Sequence, residues 1–345
     1  MIDNFEVIKV FLLTTLSFVV ALAWTPALTH FMYKYKLGKS IRSSESAPIF
    51  SKMHQAKAGT PTMGGLLIWV TVLVLAVVFF YFDKFFNGTL GQFSFLTRSE
   101  TLLPLGALVA SALVGLVDDF IDVRGTGGGL RMRHRFIIYT VIAAVGAWWF
   151  FYKLDWTVFH VPFLGNFEIG LWYIPVFIFI IVATAFSVNE IDGLDGLAGG
   201  TLLTAFGAYG AIAFAQGRYD LAAFCGVIAG ALSAFLWFNI NPARFFMGDT
   251  GAMSLGVTLG IIAMLTNQAL LLPVIGLLFL VESLSVIIQV TSKKLRGKKV
   301  FISAPIHHHF EAKGWSEPKI VMRFWVVSGV SAVLGLSLFL LDRTF

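Results

Sequence analysis

Stretches of about twenty apolar residues recur along the whole of this chain, each long enough to cross the hydrocarbon core of a bilayer as a helix. About ten are predicted, centred near Phe18, Leu73, Ser111, Val145, Phe179, Gly207, Ala229, Gly260, Leu278 and Val333. The eighth, Met253 to Leu265, is short. Of the 345 residues, 57% are hydrophobic and only 13% charged. Water-soluble domains carry about 25% charge, so most of this surface faces lipid. The expected fold is an all-α polytopic membrane protein, with residues 1–345 forming a single integral membrane domain. The first apolar run, Val7 to Leu28, is too long for the core of a signal peptide and reads as a retained span. The lone cysteine, Cys225, lies in an apolar run. An intrachain disulfide and a cysteine-built metal centre are therefore excluded.

Basic residues in short loops predict orientation. One set of loops holds Lys34, Lys36, Lys39, Arg42, Lys52 and Lys57, then Arg124, Arg131, Arg133 and Arg135, then Arg244. It continues with the run Lys293 to Lys299, Lys313, Lys319 and Arg323. The opposite loops hold only Lys9, Lys84, Arg98, Lys153, Arg218 and Arg343. The richer side is expected to be cytoplasmic, with both termini outside. Most of these cations are assigned to topology and to attraction for anionic lipid, and no nucleic-acid partner is expected. On the outer side, alternation through Trp156, Val158 and His160 with turn chemistry at Gly165-Asn166 predicts a small β-hairpin within 153–170.

Acidic residues are scarce, so their places are informative. Asp118, Asp119 and Asp122 follow the third span, Glu190, Asp192 and Asp195 the fifth, and Asp249 the seventh. Thr60 to Gly65 and His307-His308-His309 lie on the same predicted face. Five loops thus bring polar residues together, as a single site built from a bundle would require. Adjacent Asp118 and Asp119 diverge by about 100° on a helix. Alone they read as a polar helix end, but carboxylates at membrane depth are costly and usually functional. Asn189, Asp192 and Asp195 share one face if that segment is helical. Arg244 would meet a phosphate, Phe246 stack on a base and Asp249 hold a cation. Each of these singly also reads as an ordinary loop residue. A cysteine-free, oxygen-rich site suits Mg²⁺, held by one or two carboxylates plus substrate phosphates. Lys57 and Arg135, each close to a motif in sequence, are the better candidates for phosphate contact. Consecutive histidines do not readily converge on one metal; they suit hydrogen bonds to phosphate or a loop brace. Glu282, inside the ninth span, reads equally as a paired structural carboxylate or as a direct participant.

Together these loops resemble the phospho-N-acetylmuramoyl-pentapeptide transferases, within the polyprenyl-phosphate hexosamine-phosphate transferases. The resemblance runs from about Lys57 to Trp325. Its most specific part is Ala304-Pro305-Ile306-His307-His308-His309-Phe310-Glu311 followed by Pro318-Lys319-Ile320-Val321. Asp118-Asp119, Asp192-Gly193-Leu194-Asp195-Gly196 and Phe246-Met247-Gly248-Asp249 are shared more widely. The resemblance implies ten spans in the bacterial inner membrane, a cytoplasmic site, Mg²⁺ and often a homodimer. It implies transfer of phospho-MurNAc-pentapeptide from UDP-MurNAc-pentapeptide to undecaprenyl phosphate. By motif, Asp249 would be the Mg²⁺ ligand, with Asp118 and Asp119 beside it as catalytic residues. Lys57, Thr62, Asn189, Asp192, Asp195, Asn239, Phe246 and Gly248 would surround the nucleotide, and Arg135 with His307, His308 and His309 would complete the site. Phe186, Glu190, Ile191, Asp122 and Ala252 depart from the usual pattern, and Asp122 is assigned to a solvated face.

Two alternatives remain: a relative using UDP-GlcNAc for another envelope polymer, and a transporter with a polar vestibule. The histidine segment argues against the first, and the absence of a clear sequence repeat against the second. The acceptor is expected to reach the site along a bent ninth span, where Pro273 and Gly276 precede Glu282, with Ser283 and Ser285 facing an apolar groove.

Overall fold

The computed structural model describes residues 4–38, 57, 59–85, 91–98, 100–125 and 129–344. Lys39, Arg42 and Lys52 of the expected basic face lie outside these residues. All ten predicted stretches are helical. They are α1 (Asn4–Lys34), α2 (Gly65–Phe85), α3 (Leu102–Arg124), α4 (Met132–Lys153), α5 (Tyr173–Ile191), α6 (Leu197–Ala215), α7 (Tyr219–Asn239), α8 (Asp249–Leu265), the pair α9 (Leu272–Ile275) and α10 (Leu277–Arg296), and α12 (Glu317–Asp342). A short α11 (Ile306–Ala312) precedes the last. Among the described residues, eight helices are long and apolar enough to cross a membrane, or nine if the broken pair counts as one span.

The short eighth stretch has a physical explanation. α8 is 17 residues long, about 25 Å, which is less than the bilayer core. Every residue from Thr250 to Leu265 is buried, as expected for a helix apolar all round. It packs between α3 and α5 and also touches α2, so it meets protein rather than lipid. α7 is the second internal helix, packed on α1, α6 and α2.

The ninth span is broken, as expected. Ala269–Ile275 and Leu277–Arg296 meet at 84°, with Gly276 between them. α10 then turns its polar side inward: Glu282, Ser283, Ser285, Gln289 and Ser292 are buried. Leu280, Val281, Leu284, Ile287, Ile288 and Val290 are exposed. Ser283 and Ser285 therefore do not face a groove. Ser283 Oγ donates to Ser187 Oγ at 2.7 Å and Ser285 Oγ to the Glu282 carbonyl at 2.7 Å. In a bilayer, hydroxyls need such partners and apolar side chains do not.

The hairpin forms from β1 (Val158–Val161) and β2 (Gly165–Glu168), paired antiparallel with Val161 opposite Gly165. Its turn is therefore 162–164, not Gly165-Asn166, which open the second strand. His160 pins the hairpin to the bundle, its Nε2 lying 2.6 Å from Asp342 Oδ2. The same carboxylate accepts the Phe163 N–H at 2.6 Å, and Asn267 Oδ1 accepts the His160 N–H at 3.1 Å. Arg218, donating to the Leu265 carbonyl, and Arg343, donating to that of Ala215, tie loops at this same end. The carboxylates and histidines described next gather at the opposite end.

Candidate active site

The inward stripe of α3 carries Asp118, Asp119 and Asp122, all buried. Asp122 is thus not on a solvated face: it lies one turn after Asp118 on the same side of the helix. Asp118 Oδ1 accepts the Leu130 N–H at 2.5 Å, and its Oδ2 lies 2.9 Å from Arg135 Nε. Asp119 turns instead to α8. Its Oδ1 accepts the Asp249 N–H at 2.9 Å and its Oδ2 the Thr250 N–H at 3.0 Å. Buried Thr62 Oγ1 stands 3.4 Å from the same carboxylate. An acidic side chain from another helix thus caps the otherwise unsatisfied, positive end of α8. Gly248 permits this approach. Its φ is +73°, and a Cβ there would lie 2.5 Å from Asp119 Oδ2 and 2.7 Å from Thr62 Oγ1.

Asp249, the first residue of α8, joins the Asp118 group through Arg135. Its Oδ2 accepts Arg135 Nη2 at 2.7 Å and its Oδ1 accepts Asn189 Nδ2 at 2.6 Å. Arg135 Nη1 donates to Asn189 Oδ1 at 3.0 Å. One guanidinium therefore spans two carboxylates from different helices, with the Asn189 amide bracing the guanidinium and Asp249.

A second cluster surrounds Lys57. Its Nζ donates to Asp195 Oδ1 at 2.6 Å and to Glu317 Oε1 at 2.5 Å, and lies 5.8 Å from the centroid of the Phe246 ring. Asn239 holds the neighbouring loops, accepting the Gly196 N–H at 2.9 Å and donating to the Phe245 carbonyl at 2.8 Å. Asn189, Asp192 and Asp195 do not share a helical face, because α5 stops at Ile191. Asn189 goes to the first cluster, Asp195 to the second, and half-buried Asp192 stands at the helix end between them.

The histidines take three different partners, although the His307 and His308 rings lie 4.1 Å apart. His307 Nδ1 lies 3.0 Å from Glu282 Oε2, and both side chains are completely buried. His308 Nδ1 lies 2.6 Å from Glu311 Oε2, and His309 Nδ1 accepts the Ile302 N–H at 3.2 Å. Burial alone would push the His307 pKa down. The facing Glu282 carboxylate outweighs that and leaves it above the ordinary histidine value. Gly193 lies against the His307 ring, where a Cβ would collide with Nε2. Arg244, by contrast, is exposed and lies over the Phe238 ring at 5.5 Å.

Among the described residues no three His, Cys, Asp or Glu side chains gather into a metal cage. The donor set does fit Mg²⁺ held by one or two carboxylates and completed by substrate phosphates. Asp249 and Asp118 meet the same Arg135 guanidinium, so a cation held by both would take the place that Arg135 fills between them.

Comparison with known proteins decides the family. Residues 57–68 match phospho-N-acetylmuramoyl-pentapeptide-transferase signature 1, and residues 101–267 match glycosyl transferase family 4. The chain is 41% identical over 352 residues to the phospho-N-acetylmuramoyl-pentapeptide-transferase of Chloroflexus aggregans, covering 97% of this chain and 91% of that one. The chain belongs to the phospho-N-acetylmuramoyl-pentapeptide-transferase family. The transferase of Geobacillus thermodenitrificans is 41% identical over 324 residues, covering 93% of this chain and 94% of its own. That of Bacillus anthracis is 39% identical over 326 residues, with the same coverage. The family signature runs from Lys57 into the start of α2, and the longer match takes in every carboxylate from Asp118 to Asp249. Phe186 stacks on Phe136 with ring centroids 5.4 Å apart.

Sequence reasoning missed Glu317 and Asn241. Glu317 follows Ser316 and precedes Pro318 at the start of α12, where an acidic residue is ordinary. Nothing local signals its partners.

Proposed function

We propose that this chain transfers phospho-MurNAc-pentapeptide from UDP-MurNAc-pentapeptide to undecaprenyl phosphate, giving lipid I and UMP. Supporting this most directly is the partly buried Asp118–Arg135–Asp249 bridge at the α8 N-terminus, on a chain of this family. A diphosphate brings negative charge that needs a cation, and a guanidinium suits it. The lipid phosphate, already anionic near neutral pH, attacks the β-phosphorus, the bond to the bridging oxygen breaks, and UMP leaves. Asp118 would act as the base for any remaining proton. Mg²⁺ at Asp249 would offset charge on the diphosphate. Arg135 neutralises the carboxylates in the meantime. On the nucleotide side the base stacks on Phe246, with Lys57 and Asp195 at its edge.

The carboxylate face is read as cytoplasmic and the hairpin and termini as outside, from the basic-residue asymmetry. The protein is thus a multi-pass inner-membrane enzyme working among membrane lipids, and a homodimer is the assembly the family resemblance implies. The test is UMP release by detergent-purified protein with and without Mg²⁺ and polyprenyl phosphate. UMP should appear only when donor, acceptor and Mg²⁺ are all present. Movement of substrate across the membrane without UMP formation would sink the reading, and UMP from UDP-GlcNAc alone would redirect it. A phospho-sugar enzyme trapped without acceptor would replace direct attack by a covalent route.

A further inference from the structure

Glu317 has no part in the reaction as read above, yet three segments distant in sequence meet on its carboxylate. Oε1 accepts Lys57 Nζ at 2.5 Å and the Asp195 N–H at 2.6 Å, and Oε2 accepts Asn241 Nδ2 at 3.1 Å. Asp195 takes the same two side chains, Lys57 at 2.6 Å and Asn241 at 3.0 Å, and adds the Ala243 N–H at 3.1 Å. The side chains of Asp195 and Glu317 are 3% and 13% exposed and that of Lys57 is 20% exposed. The cluster is therefore partly shielded from water, and ion-pair geometry matters more there than on an open surface.

An ammonium has three N–H donors on a long flexible stem. Two carboxylates fix two of them and direct the third. The Asp195 loop is tied to the same Glu317 oxygen that holds Lys57. One side chain thus sets the position of a lysine, an aspartate and the Asn241–Ala243 turn relative to one another. The Phe246 ring lies at the edge of this arrangement.

We propose that Glu317 is a positioning residue for the nucleotide half of the donor, acting through Lys57 and the Asp195 loop. This rests on the reading of Lys57, Asp195 and Phe246 as the nucleotide side of the site. Glu317 touches neither the reacting phosphorus nor the acceptor. Its loss should therefore weaken donor binding and leave the chemical step alone. If it merely favours the start of α12, its loss lowers stability without separating the substrates.

The experiment uses full-length protein in detergent, wild type and Glu317→Gln. KM for donor and for polyprenyl phosphate, kcat and melting temperature are measured, and UMP is titrated calorimetrically. Expected are a rise in donor KM and in UMP Kd of about tenfold, with kcat within about twofold and acceptor KM unchanged. Lys57→Ala should give a similar rise, and the double variant little more, because the two residues act as one unit. Unchanged donor KM and UMP affinity, a uniform loss of all parameters with melting temperature, or additive effects would each overturn the proposal. If Glu317→Gln does not accumulate, Glu317→Asp, with its carboxylate drawn back by one methylene, is judged by the same split. A wild-type protein that binds UMP but releases none from the donor refutes the reaction, while the titration still judges Glu317. A wild type that neither turns over nor binds UMP refutes both.

Discussion

About 100° of helical rotation separates Asp118 from Asp119, and the two carboxylates reach different partners. Asp118 faces Arg135, whereas Asp119 caps α8. Their substitutions should therefore differ in kind. Asp249→Asn is expected to lower UMP release by more than about a hundredfold, because it removes charge from the hard-cation site. Near-normal turnover at ordinary Mg²⁺ would remove Asp249 as the ligand. Asp119→Ala should cost stability as well as activity, about 1–2 kcal/mol for a lost helix cap, seen as a lower melting temperature in detergent. Asp118→Asn is expected to lose much more activity than Asp122→Asn. Asp122 lies near Asp118, and neutralising it relieves repulsion between buried carboxylates. Equal losses in UMP release would put Asp122 in the machinery.

α10 reverses the arrangement of a soluble amphipathic helix. Its serines, Gln289 and Glu282 face protein, while Leu280, Leu284, Ile287 and Ile288 face outward. Gln289 Oε1 accepts the N–H groups of Val300 and Phe301, at 2.9 and 3.0 Å, so the loop after the basic run folds back onto the polar side. An acceptor with an apolar tail would lie along the outward face, below the bend at Gly276. Leu284→Trp and Ile288→Trp are therefore expected to raise the apparent KM for polyprenyl phosphate several-fold, by about 1 kcal/mol, and to spare the donor KM. Unchanged acceptor kinetics in both variants would move the route elsewhere. Ser283→Trp belongs to another class. It overpacks a buried contact with Ser187 and should destabilise by about 1–3 kcal/mol, with no selective effect on the acceptor.

At the scale of the whole molecule, α10, α11 and the α5–α6 loop are joined through the His307–Glu282 pair, with Gly193 against the imidazole. Because the folded pKa of His307 is raised, its contribution to stability is complete below the ordinary value near 6.5. It is lost as pH rises through the folded value. Wild type should therefore lose melting temperature from mildly acid to alkaline pH by a component absent in Glu282→Gln. That variant should also be less stable at low pH by on the order of 3 kcal/mol, as when a buried pair is broken. Parallel pH profiles for the two proteins would exclude the pair as its source. Much of this architecture was legible beforehand. Apolar length alone marks the ten helices, since lipid leaves a backbone no alternative to internal hydrogen bonding, and Pro273 and Gly276 mark the break. Local chemistry also marks Asp118, Asp119, Asp249 and the histidine triplet as polar residues with no apolar reason to be there. What the sequence could not reveal is which of these groups meet. Glu317 looks like any first-turn acid until the fold brings Lys57 and Asp195 to it. Asp122 looks solvated until its helix face is turned inward, and Ser283 looks available until Ser187 covers it. Periodicity and hydropathy are properties of a segment and depend on its own residues. A hydrogen bond across 260 positions, as between Lys57 and Glu317, depends on how every intervening helix packs, and only the tertiary structure decides that.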